Sequence, residues 1–143
     1  MSSSYCELLW RRAKRFITRA ERDLSESDYD GACFNSEQSL QLAIKAVIYR
    51  LFGVKIRVHS AKSLLAQLRN MLYESNRRDL ANIISDLVYT HRRELELLEE
   101  SYIESRYGEF EYLEDQGRSC INVAKKVLEV LEKIEVELAK TSN

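Results

Sequence analysis

Gln38, Gln41 and Lys45 recur three and then four residues apart in a stretch that is otherwise mostly apolar. At about 100° per residue this spacing puts the three on one side of a helix. Ala32, Leu40, Leu42, Ala43, Ile44, Ala46, Val47, Ile48 and Leu51 cover most of the remaining circumference. Polar groups inside an apolar setting are rarely left unpaired, so the stripe needs partners. Arg106 or Glu99, further along the chain, would close it into a structural network. A nucleotide, or an RNA backbone lying in a cleft between helices, would make it a binding site. Arg106, close to Tyr102 and Tyr107, offers a guanidinium for a phosphate and a ring for a base to stack on. The same arginine could instead pin its own loop through Glu99 or a carbonyl.

A second stripe is basic. Arg11, Arg15, Arg19 and Arg22 fall within roughly 80° of each other on the side of a helix opposite Leu9, Ala13, Phe16, Ala20 and Leu24. Guanidinium forks match phosphate oxygens bidentately, so the stripe could hold phosphates. It also fits a solvated outer face, with Glu21 and Asp23 as partners near one end. His59 precedes Ser60 at a helix start, where an imidazole caps or packs; a catalytic role would require a partner such as Arg106. His91 lies beside Arg92 and Arg93 and is expected on the surface.

Sharper chemistries are excluded. A di-iron bundle needs Glu-x-x-His on two helices, but Ile56 and Val88 stand three residues before the histidines. Neither GxxxxGK nor GxGxxG can be written with the four glycines. The three cysteines, Cys6, Cys33 and Cys120, are scattered and odd in number, which predicts free thiols, no zinc site and a reducing compartment. No metal or cofactor is expected.

The elements that must position these groups are helices. There is no proline, and glycine is scarce, as long helices require. A first helix is predicted from Ser4, where Ser4 and Glu7 have capping-box spacing. A second runs from about Tyr29 to Phe52, after a polar break at 25–28 and before Gly53. Its apolar circumference places it centrally. Ser60 caps a short third helix carrying Leu64, Leu65, Leu68 and Met71. A fourth follows Arg77 and runs to about Glu100, with Leu80, Ile83, Ile84, Leu87, Val88, Leu95 and Leu98 facing inward. Residues 101–117 read as an aromatic, acidic loop, and a final helix carries Cys120, Ala124, Val127, Leu131, Ile134 and Leu138. The expectation is an all-α, up-and-down bundle of four main helices plus a short one, a single domain over 1–143. Net charge is −1, so any nucleic-acid contact must come from a local patch. No apolar run is long enough to span a bilayer and no secretory signal is present, which predicts a cytoplasmic protein away from membranes.

The segment Phe34 to Ala46, with Gln38, Gln41, Ala43 and Lys45 in order, resembles the second-helix signature of HEPN domains. His59, Ser60 and the leucines that follow are similar to that family's histidine-to-double-leucine element. The segment from Leu98 through Tyr102 and Ile103 to Arg106 and Tyr107 resembles its post-helix segment. In order, the three cover nearly the whole chain, and they point to the stand-alone prokaryotic and archaeal type, similar in fold to nucleotidyltransferase substrate-binding domains. Gln41 stands where the family usually has glutamate, and Gly108 where a proline usually follows. Many HEPN ribonucleases carry arginine, four to six residues, then histidine. Residues 52–54, before His59, and 84–86, before His91, contain no arginine, so that pair is missing.

The resemblance implies a nucleotide- or RNA-associated binding module, a homodimer, and a minimal nucleotidyltransferase partner in a toxin–antitoxin-like two-protein system. Its nucleotide or phosphate would meet Gln38, Gln41, Lys45, Tyr102, Arg106 and Tyr107. A binding module is favoured over a self-sufficient enzyme. One alternative is a metal-independent ribonuclease using His59 with Arg106; another is a purely structural helical dimer, paired through the apolar arc of the last helix.

Overall fold

Asp28 closes the polar break and caps the helix after it, its Oδ1 accepting the Gly31 amide at 2.9 Å. That helix ends where Gly53 adopts φ 67°, a left-handed conformation that a Cβ would strain. Such local signals divide the chain, in a computed structural model, into six helices among the described residues: α1 Ser3–Ser25, α2 Tyr29–Phe52, α3 Ala61–Glu74, α4 Arg78–Thr90, α5 Arg92–Tyr107 and α6 Glu114–Thr141. The structure describes residues 3–141, except the side chains of Ser3, Ser105, Arg106 and Thr141.

α2 is the central element, as its composition predicts. It packs on α1, α6, α5 and α3, while α3 and α4 pair with each other. Leu40, Ala43, Ile44, Ala46, Val47 and Ile48 are wholly inaccessible to solvent. Burying each large aliphatic among them contributes about 1.5–3 kcal/mol. The last helix turns its arc of Val127, Leu131 and Ile134 into this same core. That arc is therefore spent within the chain and is not open to a second copy, contrary to one reading of its sequence.

Two boundaries differ from expectation. The predicted fourth helix is two helices, broken at His91, whose φ −112° and ψ 28° leave helical geometry. The backbone continues around the break, with the His91 amide bonded to Leu87 O and the His91 carbonyl accepting from Leu95. His91 is half-buried at this joint rather than exposed. The predicted loop over 101–117 shrinks to a short connector, because Leu95, Leu98 and Ser101 continue an inward face at helical spacing. Ile83, expected inside, is 44% exposed.

Gly117 lies in the first turns of α6 and is buried. A Cβ there would stand 3.3 Å from Leu24 Cδ1 and 3.4 Å from Tyr29, so glycine lets α6 approach the α1–α2 corner closely. Nearby, Cys33 on α2 and Cys120 on α6 form a disulfide with Cα atoms 5.1 Å apart. The expectation of three free thiols is thus corrected: only Cys6 is free. Sequence spacing carries no trace of this pair, because the fold alone brings together two positions 87 residues apart.

Candidate functional site

The polar seam of α2 is Glu37, Gln41 and Lys45, one residue every four. Glu37 is 1% exposed and Gln41 5%. The Glu37 Oε2 accepts the Ala61 backbone N–H at 2.8 Å, so a side chain of α2 caps the start of α3. It also accepts from Gln41 Nε2 at 3.2 Å, and the same amide donates to the His59 carbonyl at 3.2 Å. The other carboxyl oxygen of Glu37 is buried with no partner among the described residues. Burial drives the Glu37 carboxyl above the usual carboxylate range, and the nearby Glu99 charge pushes the same way.

One turn beyond Gln41 the seam reaches the surface. Lys45 Nζ lies 3.4 Å from His59 Nδ1. An ammonium can only donate, and the ring nitrogen facing it takes that bond in the tautomer whose Nδ1 carries the lone pair. Lys45 Nζ and the His59 ring therefore stand side by side where the seam reaches the surface. Lys45 is half-buried, which holds its amine below the ordinary lysine value. No carboxylate lies within ion-pair distance of it among the described residues. Lys45 is thus a half-buried cation with no counter-ion among the described residues.

Ser60 joins the group from the α3 side. Its hydroxyl accepts the Ser63 amide at 3.2 Å and donates to Glu99 Oε1 on α5 at 2.6 Å. α2, α3 and α5 therefore meet at Glu37, Ser60 and Glu99, with Lys45 and His59 at the rim.

The six residues read from the sequence divide. Gln41 and Lys45 belong to this cluster. Gln38 is half-buried and makes no side-chain hydrogen bond among the described residues. Tyr102 stacks on Phe34 at 5.9 Å between centroids. Eleven residues separate Phe34 from Lys45, about 16 Å along the helix. The Tyr102 ring is therefore at the far end of the seam. Tyr107 lies further on and is 75% exposed. The Arg106 side chain lies outside the described residues, so the His59–Arg106 pair has no geometry here. Of the two partners expected for the seam, Glu99 reaches it through Ser60.

Glu37 and Ser60 were missed as site residues. At 100° per residue Glu37, Gln41 and Lys45 span about 80° and Gln38, Gln41 and Lys45 about 60°, so helical spacing favours Gln38 and a carboxylate invites assignment to solvent.

Residues 6–134 match the HEPN domain model. The chain belongs to the HEPN domain family. Its second-helix stripe and the His59–Ser60 element, noted from sequence, are the two parts of the family pattern that meet at the cluster. The chain is also 31% identical over 141 residues to a protein of Methanocaldococcus jannaschii named "Putative toxin MJ1304", across 83% of this chain and 85% of that protein. No solved structure matches. Among the described residues, no group of His, Cys, Asp and Glu is placed to hold a metal ion, and no helix is long and apolar enough to cross a membrane.

Proposed function

We propose that this HEPN chain is the binding half of a two-protein system of toxin–antitoxin type. It takes the phosphate of a nucleotide or RNA at Lys45 and His59, and it works beside a minimal nucleotidyltransferase. The observation that carries this reading is the Lys45 ammonium, half-buried and without a carboxylate partner, beside a histidine ring nitrogen at 3.4 Å. The carboxyl that could have neutralised it, Glu37, is one residue type and two turns away, is engaged by Ala61 and Gln41, and is driven toward its neutral form. Gln41 holds the His59 backbone, and so sets where the imidazole stands.

The family and the toxin name of the relative support a toxin–antitoxin setting, and a cytoplasmic location forms part of the proposal. Homodimerisation forms part of the proposal. Ile103, Tyr107, Phe110 and Leu113 are each at least 60% exposed, and an apolar stretch of this kind suits an intersubunit surface.

Isothermal titration with ATP and AMP tests the site directly, using Lys45→Met and Lys45→Arg. Binding by the native chain that falls at least tenfold in the methionine variant and survives in the arginine variant supports it. Equal binding by all three removes the site. Affinity purification from cells tests the setting: recovery of neither a nucleotidyltransferase nor a nucleotide counts against it. Light scattering that shows a monomer at micromolar concentration removes the dimer.

A further inference from the structure

On α1 the structure isolates four arginines. Arg11, Arg15, Arg19 and Arg22 are all exposed, and no carboxylate lies within ion-pair distance of any of them among the described residues. The carboxylates that could serve them are engaged elsewhere. Glu21 is bridged to Lys125 on α6, and Asp23 accepts from Asn35 at 2.6 Å. Glu132 of α6 reaches only Lys14, at 3.8 Å. The face is solvated, as one reading of the sequence has it, and Asp23 feels the Arg22 charge, but neither Glu21 nor Asp23 comes within ion-pair distance of the four arginines among the described residues.

The stripe also has shape. Arg11, Lys14, Arg15, Thr18, Arg19 and Arg22 line an open hollow of about 520 Å³. Arg19 is steadied over the Phe16 ring, 4.9 Å from its centroid. From Arg11 to Arg22 the track is about 16 Å long at 1.5 Å per residue. In a chain of net charge −1 this is a concentrated positive field.

We infer that the α1 stripe is a second binding surface, distinct from the Lys45–His59 cluster, that takes the phosphodiester backbone of a nucleic acid. The lining decides between classes of partner. A protein interface is anchored by buried aromatic or aliphatic side chains, and a membrane-surface helix needs an apolar face to insert. The hollow offers neither, since none of its lining residues is apolar. Backbone recognition needs only spaced cations, and guanidinium is the best of them for phosphate.

Fluorescence anisotropy with labelled 20-nucleotide single-stranded RNA and DNA of one sequence tests this. Four phosphates neutralised give a slope of log K on log salt of about −2.8. Affinity should then fall about 50-fold between 50 and 200 mM salt. Arg15→Gln with Arg19→Gln should halve the slope, leaving about a sevenfold fall. Arg11→Gln with Arg22→Gln should do the same without disturbing the Phe16 contact. Lys126→Gln with Lys133→Gln, which removes the same charge from lysines paired with Glu129 on α6, should leave it unchanged. RNA and DNA should bind alike. The inference is overturned by no binding, by equal losses in the α1 and α6 variants, by a tenfold preference for one sugar, or by polyglutamate binding as tightly as the oligonucleotides.

Discussion

Replacing Glu37 by alanine and by glutamine separates its two properties, the acceptor it offers and the charge it resists. In the alanine variant the Ala61 N–H, at a residue 1% exposed, loses its acceptor, and among the described residues Gln41 keeps the His59 carbonyl alone. An orphaned buried donor costs about 1–3 kcal/mol. With the cavity left behind, Glu37→Ala should lose about 2–4 kcal/mol. Glu37→Gln keeps a carbonyl oxygen for both donors and should stay within about 1 kcal/mol of the native chain near pH 5. The pH dependence follows from the raised carboxyl. Below the unfolded value both states are protonated and there is no penalty. As pH rises the unfolded chain ionises first, so stability falls until pH passes the folded value, by about 1.4 kcal/mol for each unit between the two. Glutamine cannot ionise. Its stability relative to the native chain should therefore rise as pH climbs from the ordinary carboxylate range toward the raised folded value. Asp23, also raised by burial, acts in the same direction in both proteins and cancels in the comparison. Urea unfolding followed by circular dichroism at several pH values supplies the free energies. A glutamine variant as unstable as the alanine variant, or a difference from the native chain that does not change with pH, would refute the reasoning.

Other consequences are simpler to check. Alkylation of the denatured, unreduced protein should find one reactive thiol, Cys6, and three would contradict the Cys33–Cys120 pair. Reducing that pair reopens a loop of 87 residues and should cost up to about 4.5 kcal/mol in chemical denaturation. Gly53→Ala places a Cβ at φ 67° and should lower stability by about 1 kcal/mol, seen as a drop of a few degrees in Tm. Ser60→Ala removes the α3 cap and the Glu99 bond together, for about 1–2 kcal/mol, whereas Ser63→Ala should cost nothing measurable by the same melt.

The fold was legible because its signals are local. The Asp28 and Ser60 caps, the left-handed Gly53 and the apolar arc of α2 can each be read from a few neighbouring residues. The His91 break was not legible, since the hydrophobic spacing runs through it from Leu87 to Leu95 and only a change in backbone angle marks it. Residues 101–107 were mistaken for loop because aromatic and acidic composition suggested solvent, while Ser101 keeps the helix satisfied by donating to Leu98 O at 2.7 Å. In the site, Gln41 and Lys45 were legible from polarity on an apolar helix. Glu37 was not, because nothing in one sequence says that a carboxylate is buried. The distance from Lys45 to Tyr102 depends on how α5 crosses α2, which no spacing encodes.

The most direct test of the Lys45–His59 site is a two-dimensional amide NMR titration of the native chain with ATP at physiological salt. The account predicts shifts concentrated at Lys45, His59, Ser60 and Ala61, absent in Lys45→Met. Shifts confined to α1, or no saturable shifts anywhere, would contradict it.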